Sequence, residues 1–312
     1  MPELLVILVN FRRPGDTVEC VASLQRSAYT DFEILVVDNA SGDGSADFIA
    51  QRSAGLHILA QRTNLGFAGG NNVGLRMGLR QGYRFFLLLN NDTIVDRETL
   101  GELVSAARGR QNVGIVGPKI YFHDRPETLW FAGGRCNIRS GAVSHRGMHE
   151  LDRGQYDAPG PCDFITGCCA LIRREALEGA GMLDEDFFAY YEDCDYALRV
   201  RNAGYDVMYH PTARLWHKVS STAQWDSPVY HYLTMRNRLF LVRKHSSLLR
   251  SLPFLPSLAY AYVRQLLRLT VKARSRSCIR AAWAGLADGL SSAAGRRGPG
   301  RISLFLKPHG KQ

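Results

Sequence analysis

Acidic residues are almost missing from the final stretch of the chain: residues 243–312 hold 14 basic side chains and one acid, Asp288. Before that point the balance is 25 basic to 28 acidic, so the net charge of +10 is gathered at one end. Such an asymmetry suits a polyanionic partner, nucleic acid or an anionic membrane surface, with a merely solvated tail as the plain alternative. Long apolar runs are missing too; none nears the roughly 18 residues that a spanning helix needs. The 30 glycines follow no collagen period, and a hydrophobic content of 46% excludes a disordered chain. The seven cysteines (20, 136, 162, 168, 169, 194 and 278) include no C-x-x-C pair and no zinc-like spacing, so they are read as reduced thiols. The opening apolar run, residues 4–9, is too short for a signal h-region and follows Glu3, which leads to the expectation of a soluble, cytoplasmic protein. With 312 residues it makes one large domain or two modest ones.

What is present is a rhythm. Short β-branched apolar runs at residues 4–9, 33–37, 57–60 and 85–89 alternate with helical patterns at 17–27, 45–52 and 72–81. This is the signature of βαβ units and a largely parallel sheet. Residues 117–161 read as irregular, 206–210 as a strand, and 230–244 as a helix. The predicted organisation is an α/β catalytic domain over residues 1–230 and a basic helical extension over 231–312.

Polar residues stand just past the strand ends, where open α/β sheets bind ligands. Asp38 opens a turn of small residues in which a carboxylate can accept hydrogen bonds from a nucleoside. Asn64, Gly66, Gly69 and Asn71 belong to a glycine-rich loop entering a helix, a form that lets backbone amides approach a diphosphate. The spacing is not G-x-G-x-x-G, which disfavours a nicotinamide dinucleotide. Asn90, Asn91 and Asp92 end a buried strand and suit a hard divalent cation that carries phosphates. Residues 184–195 hold six carboxylates interleaved with Phe187, Phe188, Tyr190 and Tyr191, a pattern foreign to a solvated face. Asp193 and Asp195 fall at a helix start, where the dipole and free amides favour the ionised form and allow a general base. Trp216-His217 follows the late strand, and His217 can complete a metal site with Asp92.

In this order, Val9-Asn10-Phe11, residues 37–41, Asn64 to Gly74, Asn90-Asn91-Asp92, Thr166-Gly167, Glu192-Asp193-x-Asp195 and Trp216-His217 resemble the motifs of the family 2 inverting glycosyltransferases. The resemblance covers roughly residues 4–245. It implies a GT-A fold and a nucleotide-diphospho-sugar donor. Asn10 and Asp38 would hold the nucleoside, Asp92 and His217 would bind Mg²⁺ or Mn²⁺, and Asp193 would be the base of a single inverting displacement. Gly167, Glu192, Asp195 and Trp216 would position the sugar or acceptor.

Two positions depart from the common pattern: Asn90 replaces the first Asp of Asp-x-Asp, and Asn71 stands where many members have Arg. The form of the glycine-rich loop, with Tyr232 and Arg236-Asn237, resembles the rhamnosyltransferase branch. That points to dTDP-L-rhamnose as donor, with Arg236 among its contacts; a UDP- or GDP-sugar is the alternative, and a non-catalytic nucleotide-sugar binder the more distant one. The resemblance implies a glycan or lipid-linked glycan acceptor. Tyr260, Tyr262, Leu266, Leu267 and Leu269 among Arg264, Arg268 and Lys272 fit a helix lying on an anionic membrane. No nucleic-acid recognition motif accompanies the charge, so nucleic acid is not an expected partner.

Overall fold

The computed structural model describes residues 2–53, 55–219, 227–247, 252–270, 275–291 and 302. The chain divides into two units: residues 1–135, 144–184 and 193–221 form the first, and residues 136–143, 185–192 and 222–312 the second. Against the expected boundary at 230, this division starts the last segment of the second unit at 222 and adds to it residues 136–143 and 185–192. The reason is packing: Phe188, Ala189 and Tyr190 lie against Tyr232, Leu233 and Ala281.

The first unit is built on a ten-stranded sheet with flanking helices. β1 (Leu4–Asn10) is apolar at every position but its last, and it pairs in parallel with β2 (Phe32–Asp38) on one side and β4 (Phe85–Asn90) on the other. Burial on both faces is what such an unbroken apolar run requires. β3 (His57–Ala60) extends the parallel set beyond β2. Beyond β4 the sheet becomes mixed: β11 (Cys169–Arg173) lies antiparallel between β4 and β6 (Val113–Phe122), and β12 (Asp206–His217) runs parallel to β6. β5 (Thr93–Val95), β7 (Leu129–Phe131) and β10 (Gly160–Pro161) add short antiparallel pairings, and β8 (Gly134–Asn137) with β9 (Ala142–His145) makes a separate ribbon.

The connecting helices are α1 (Pro14–Leu24), α2 (Ser45–Arg52), α3 (Gly66–Gln81), α4 (Thr99–Arg108), α5 (Arg174–Ala180) and α6 (Glu192–Asn202). α3 begins six residues before the expected start, so Gly69 and Asn71 lie inside the helix. Its glycines pack on the sheet. A Cβ at Gly74 would stand 2.7 Å from Ile7 Cγ2, and one at Gly78 2.6 Å from Phe86 Cε1. Only glycine lets the helix backbone come this near β1 and β4.

In the second unit α7 (Pro228–His245) starts at a Ser227 cap whose hydroxyl accepts from the Tyr230 amide. It is followed by α8 (Leu255–Arg268) and α9 (Arg276–Leu290). Met235, Leu239, Leu258, Tyr262, Leu269, Cys278 and Ala282 form their common core. Tyr262 and Leu269, expected on a membrane face, therefore point inward, and the Tyr262 hydroxyl donates to the Met235 carbonyl. Tyr260, Val263 and Leu267 of α8 and Trp283 and Leu290 of α9 are exposed. Lys272 lies outside the described residues. Among the described residues no helix is long and apolar enough to cross a membrane.

Candidate active site

Strand register assembles the site. Asn10 and Asp38 are paired residues at the carboxyl ends of β1 and β2, and Val9 pairs with Asn90 of β4. The Asn10 amide donates to Asp38 Oδ1 at 2.7 Å and to Ser41 Oγ at 3.2 Å, while the Ser41 hydroxyl donates to Asp38 Oδ1 at 2.5 Å. Thr17 of α1 donates to Asn10 Oδ1, and the Asn91 amide donates to Thr17 Oγ1 at 2.8 Å. Asp38 is therefore fixed by neighbours on β1 and in its own turn. Asn10 itself is fully buried, with its side chain engaged by Asp38, Ser41 and Thr17.

Asn39, which sequence reasoning passed over, ties this edge to the glycine-rich loop. Its amide donates to Asn64 Oδ1 and the Gly66 carbonyl, and its Oδ1 accepts from the Leu65 amide. Asn64 Oδ1 also accepts from the Gly66 amide. Asn71 is buried, with its amide on the Phe67 carbonyl. The turn after Asp38 places Ala40 at φ 60, and Arg12, at φ 57, donates its backbone amide to Ser41 Oγ and its Nε to the Ser41 carbonyl. Arg12 was missed as well; its only signal was its place two residues past a strand end.

The tight Asn91-Asp92 turn sends β5 onto β12, so that Thr93 pairs with His217. This brings His217 Nε2 to 3.0 Å from Asp92 Oδ1 and 3.4 Å from Asn90 Nδ2. Trp130 meets the His217 ring edge-on at 4.6 Å, and His145 meets Trp130 likewise. His217 Nδ1 is buried without a partner, so Nε2 carries the polar contacts of the ring. Among the described residues there is no group of three or more His, Cys, Asp or Glu able to hold a metal. A cation here would take two protein ligands and complete its shell with phosphate or water, the habit of Mg²⁺.

Trp216 cannot share this site. Successive strand residues face opposite ways, and with His217 turned to Asp92, Trp216 stacks on Tyr121 and donates to the Pro126 carbonyl.

β11 starts at the same edge, because Cys169 pairs with Leu89. The Cys168 carbonyl accepts from the Asn90 amide at 2.8 Å, and the Gly167 amide donates to Asp193 Oδ2 at 3.3 Å. Asp193 Oδ1 accepts from the Cys194 amide at 2.8 Å in the first turn of α6. Burial pushes the Asp193 carboxyl above the ordinary aspartate range, and the amides of Cys194 and Gly167 oppose that push without cancelling it. The helix-start amides expected to favour the ionised form do so, but lost hydration is larger. The Asn72 side chain pairs with the backbone of Leu183 through both its oxygen and its nitrogen, anchoring the acidic segment.

Three expected contacts take other places. Asp195 is fully buried and pairs with Arg199 one turn on, a helix-internal bridge instead of a sugar contact. Glu192 is buried at the first position of α6. Arg236 is fully buried in the second unit with its guanidinium on the carbonyls of Asp186 and Phe187, which leaves no surface for a donor. Buried thiols are inert here; burial pushes Cys20 up to about 12.

The family model for glycosyl transferase family 2 matches residues 5–181. A dTDP-rhamnosyl transferase, RfbF, of Shigella flexneri is 27% identical over 228 residues, 70% of this chain and 74% of that protein. An N-acetylglucosaminyl-diphospho-decaprenol L-rhamnosyltransferase of Mycobacterium tuberculosis is 26% identical over 267 residues, 79% of this chain and 86% of that one. Among solved structures, a mannosyltransferase from Pyrobaculum calidifontis in complex with GDP-Man and Mn²⁺ superposes with a TM-score of 0.56 at 17% identity, covering 98% of this chain and 81% of that one, and so shares the fold. With a carboxylate turn, a carboxylate–imidazole pair and a helix-start aspartate along one edge of a mixed α/β sheet, the chain belongs to glycosyl transferase family 2 and is a hexosyltransferase of GT-A fold.

Proposed function

We propose that the enzyme transfers L-rhamnose from dTDP-L-rhamnose, with inversion, to a hydroxyl of a lipid-linked or polysaccharide acceptor in cell-envelope glycan synthesis. The observation that carries the mechanism is the placement of Asp38, the Asp92–His217 pair and Asp193 along one strand-end edge. Support for the donor comes from the two relatives, both named for rhamnosyl transfer.

Asp38, aimed by Asn10 and Ser41, accepts from the nucleoside. Asp92 and His217 would hold Mg²⁺ or Mn²⁺, which when bound offsets the negative charge of the departing diphosphate. The two residues stand at the turn between β4 and β5 and at the end of β12. Asp193 removes the proton of the acceptor hydroxyl through a second lone pair of one carboxylate oxygen, since the Gly167 amide takes one on Oδ2 and the Cys194 amide one on Oδ1. The acceptor oxygen then bonds to the anomeric carbon as the bond to the nucleotide diphosphate breaks on the opposite face, and the new linkage has inverted configuration. A raised carboxyl pKa makes Asp193 a stronger base than a free aspartate.

The second unit supports a place on the cytoplasmic face of an anionic membrane. Exposed Tyr260, Val263 and Leu267 recur along α8 beside Arg264 and Arg268, and Trp283 and Leu290 lie on α9 with Arg276 and Arg280. Apolar and aromatic side chains next to arginines suit a monotopic surface helix.

The deciding experiment is a donor panel of dTDP-rhamnose, UDP-galactose, UDP-N-acetylglucosamine and GDP-mannose, each with Mn²⁺ or EDTA, read by thermal shift and slow donor hydrolysis. The expected result is a shift and hydrolysis with dTDP-rhamnose, lost in EDTA. A response to another donor discards rhamnose, and an EDTA-insensitive response discards the metal. Sedimentation with phosphatidylglycerol vesicles but not with phosphatidylcholine ones, reversed by salt, is expected of the membrane surface.

A further inference from the structure

Between the short 3₁₀ turn Glu185–Phe187 and α6 the backbone takes a path that bulky residues avoid. Phe188, Tyr190 and Tyr191 lie in the left-handed region at φ 66, 68 and 73. Large L-residues persist there only when their surroundings over-determine the conformation. Three such residues within four positions therefore need an identifiable restraint, and α7 supplies it.

The Asn237 side-chain amide donates to the carbonyls of Phe187 at 2.9 Å, Ala189 at 2.8 Å and Tyr190 at 2.7 Å. Two N–H bonds serve three acceptors, so one is shared. Arg236 Nη2 donates to the carbonyls of Asp186 at 2.7 Å and Phe187 at 2.9 Å, and its Nε donates to Asn237 Oδ1 at 2.8 Å. This last bond settles which way the Asn237 amide points, since Oδ1 must face the guanidinium and Nδ2 the strap. Both side chains are fully buried. Tyr190 meets Tyr230 edge-on at 5.2 Å, and Phe187 packs on Phe240 at 4.7 Å, so rings as well as carbonyls are held.

We propose that Arg236 and Asn237 are positioning residues for the transfer reaction: they clamp residues 187–191 in a left-handed path and so fix where the chain delivers Glu192 and Asp193. The clamp acts through the backbone, because residue 191 is covalently one step from the start of α6 and two from Asp193. The proposal rests on Asp193 being the base. It differs from a contact between Arg236 and the donor, since the pair is turned to carbonyls within residues 186–190 and to each other, with the Arg236 guanidinium beside Tyr232.

The test uses the full-length enzyme. Asn237→Ala is expected to lower kcat about 10²-fold, the scale of a misplacement near 1 Å, while the nucleotide Kd changes less than about threefold and the acid limb of the kcat–pH profile moves. Because that variant can fail to fold, Tyr191→Gly and Tyr191→Val are compared as well. Both lose the same ring, but glycine accepts φ 73 freely and a β-branched residue does not. Valine is therefore expected to cost at least tenfold more in kcat than glycine, again at unchanged nucleotide affinity. Equal kcat for the two, or wild-type kcat in a folded Asn237→Ala, would overturn the clamp. If Asp193→Asn itself keeps full turnover, the assignment of the base has failed instead.

Discussion

Asn10 and Asp38 are register partners on adjacent parallel strands, and their side chains are joined at 2.7 Å where both strands end. One residue is fully buried and the other nearly so. The pair thus couples the stability of the sheet edge to the orientation of the Asp38 carboxylate, the group proposed to meet the nucleoside. Asn10→Ala leaves Asp38 and Thr17 short of a buried partner, a loss of about 1–3 kcal/mol. Both the melting temperature and nucleotide affinity should fall, by calorimetric titration roughly tenfold for the latter. Asn10→Asp should do worse than alanine, because it sets a second buried carboxylate against Asp38.

Asp193→Asn should abolish transfer and retain nucleotide binding. It should also stabilise the fold at neutral pH. A carboxyl whose folded pKa is raised favours the folded state while protonated, and that stability is lost as pH rises through the folded value. The asparagine variant avoids this loss, so its advantage in melting temperature should be present at pH 7.5 and shrink toward acid pH. For the wild type, the acid limb of kcat should have its midpoint above the ordinary aspartate value of about 3.9. A midpoint at or below that value would contradict the raised pKa.

His217→Ala and Asp92→Asn should each weaken Mn²⁺ binding in the presence of nucleotide diphosphate, followed by the electron paramagnetic resonance of free Mn²⁺. Trp216→Phe, one residue away on the opposite face of β12, should leave that titration unchanged. Equal effects at 216 and 217 would contradict the strand alternation that separates them.

Gly74→Ala should destabilise by about 1–3 kcal/mol, the usual range for overpacking, because its Cβ would meet Ile7 Cγ2 at 2.7 Å. Ile7→Ala, destabilising alone through its cavity, should recover part of this loss in the double variant. Chemical denaturation of the four proteins measures the coupling.

The parallel half of the sheet was legible because β1, β2 and β4 are apolar runs ending in Asn or Asp, so the position of Asp38, Asn90 and Asp92 followed from pattern alone. β6 was not. Gly114, Gly117, Pro118 and Lys119 break its run, and residues 117–161 read as irregular, yet all ten strand residues are buried. Pro118 is tolerated where β12 slips register between His210 and Arg214, as strand prolines require. Lys119 is accommodated by Asp152 and Asp157, partners more than thirty residues away that no local pattern announces. The glycine-rich loop was read as a diphosphate approach; that Gly74 and Gly78, further along the same helix, serve helix-to-sheet contact was not read. Arg236 was placed by family likeness, and only burial reveals that it holds carbonyls. Asn39 and Arg12 escaped notice because their roles depend on loops meeting in space.

Residues 167 and 168 hold two parts of the site with main-chain atoms only: the Cys168 carbonyl holds the end of β4, and the Gly167 amide holds Asp193. The span between the end of β4 and Asp193 is consequently written in peptide geometry, through main-chain atoms that every residue type but proline supplies. Of single replacements at 167, only proline removes the amide itself.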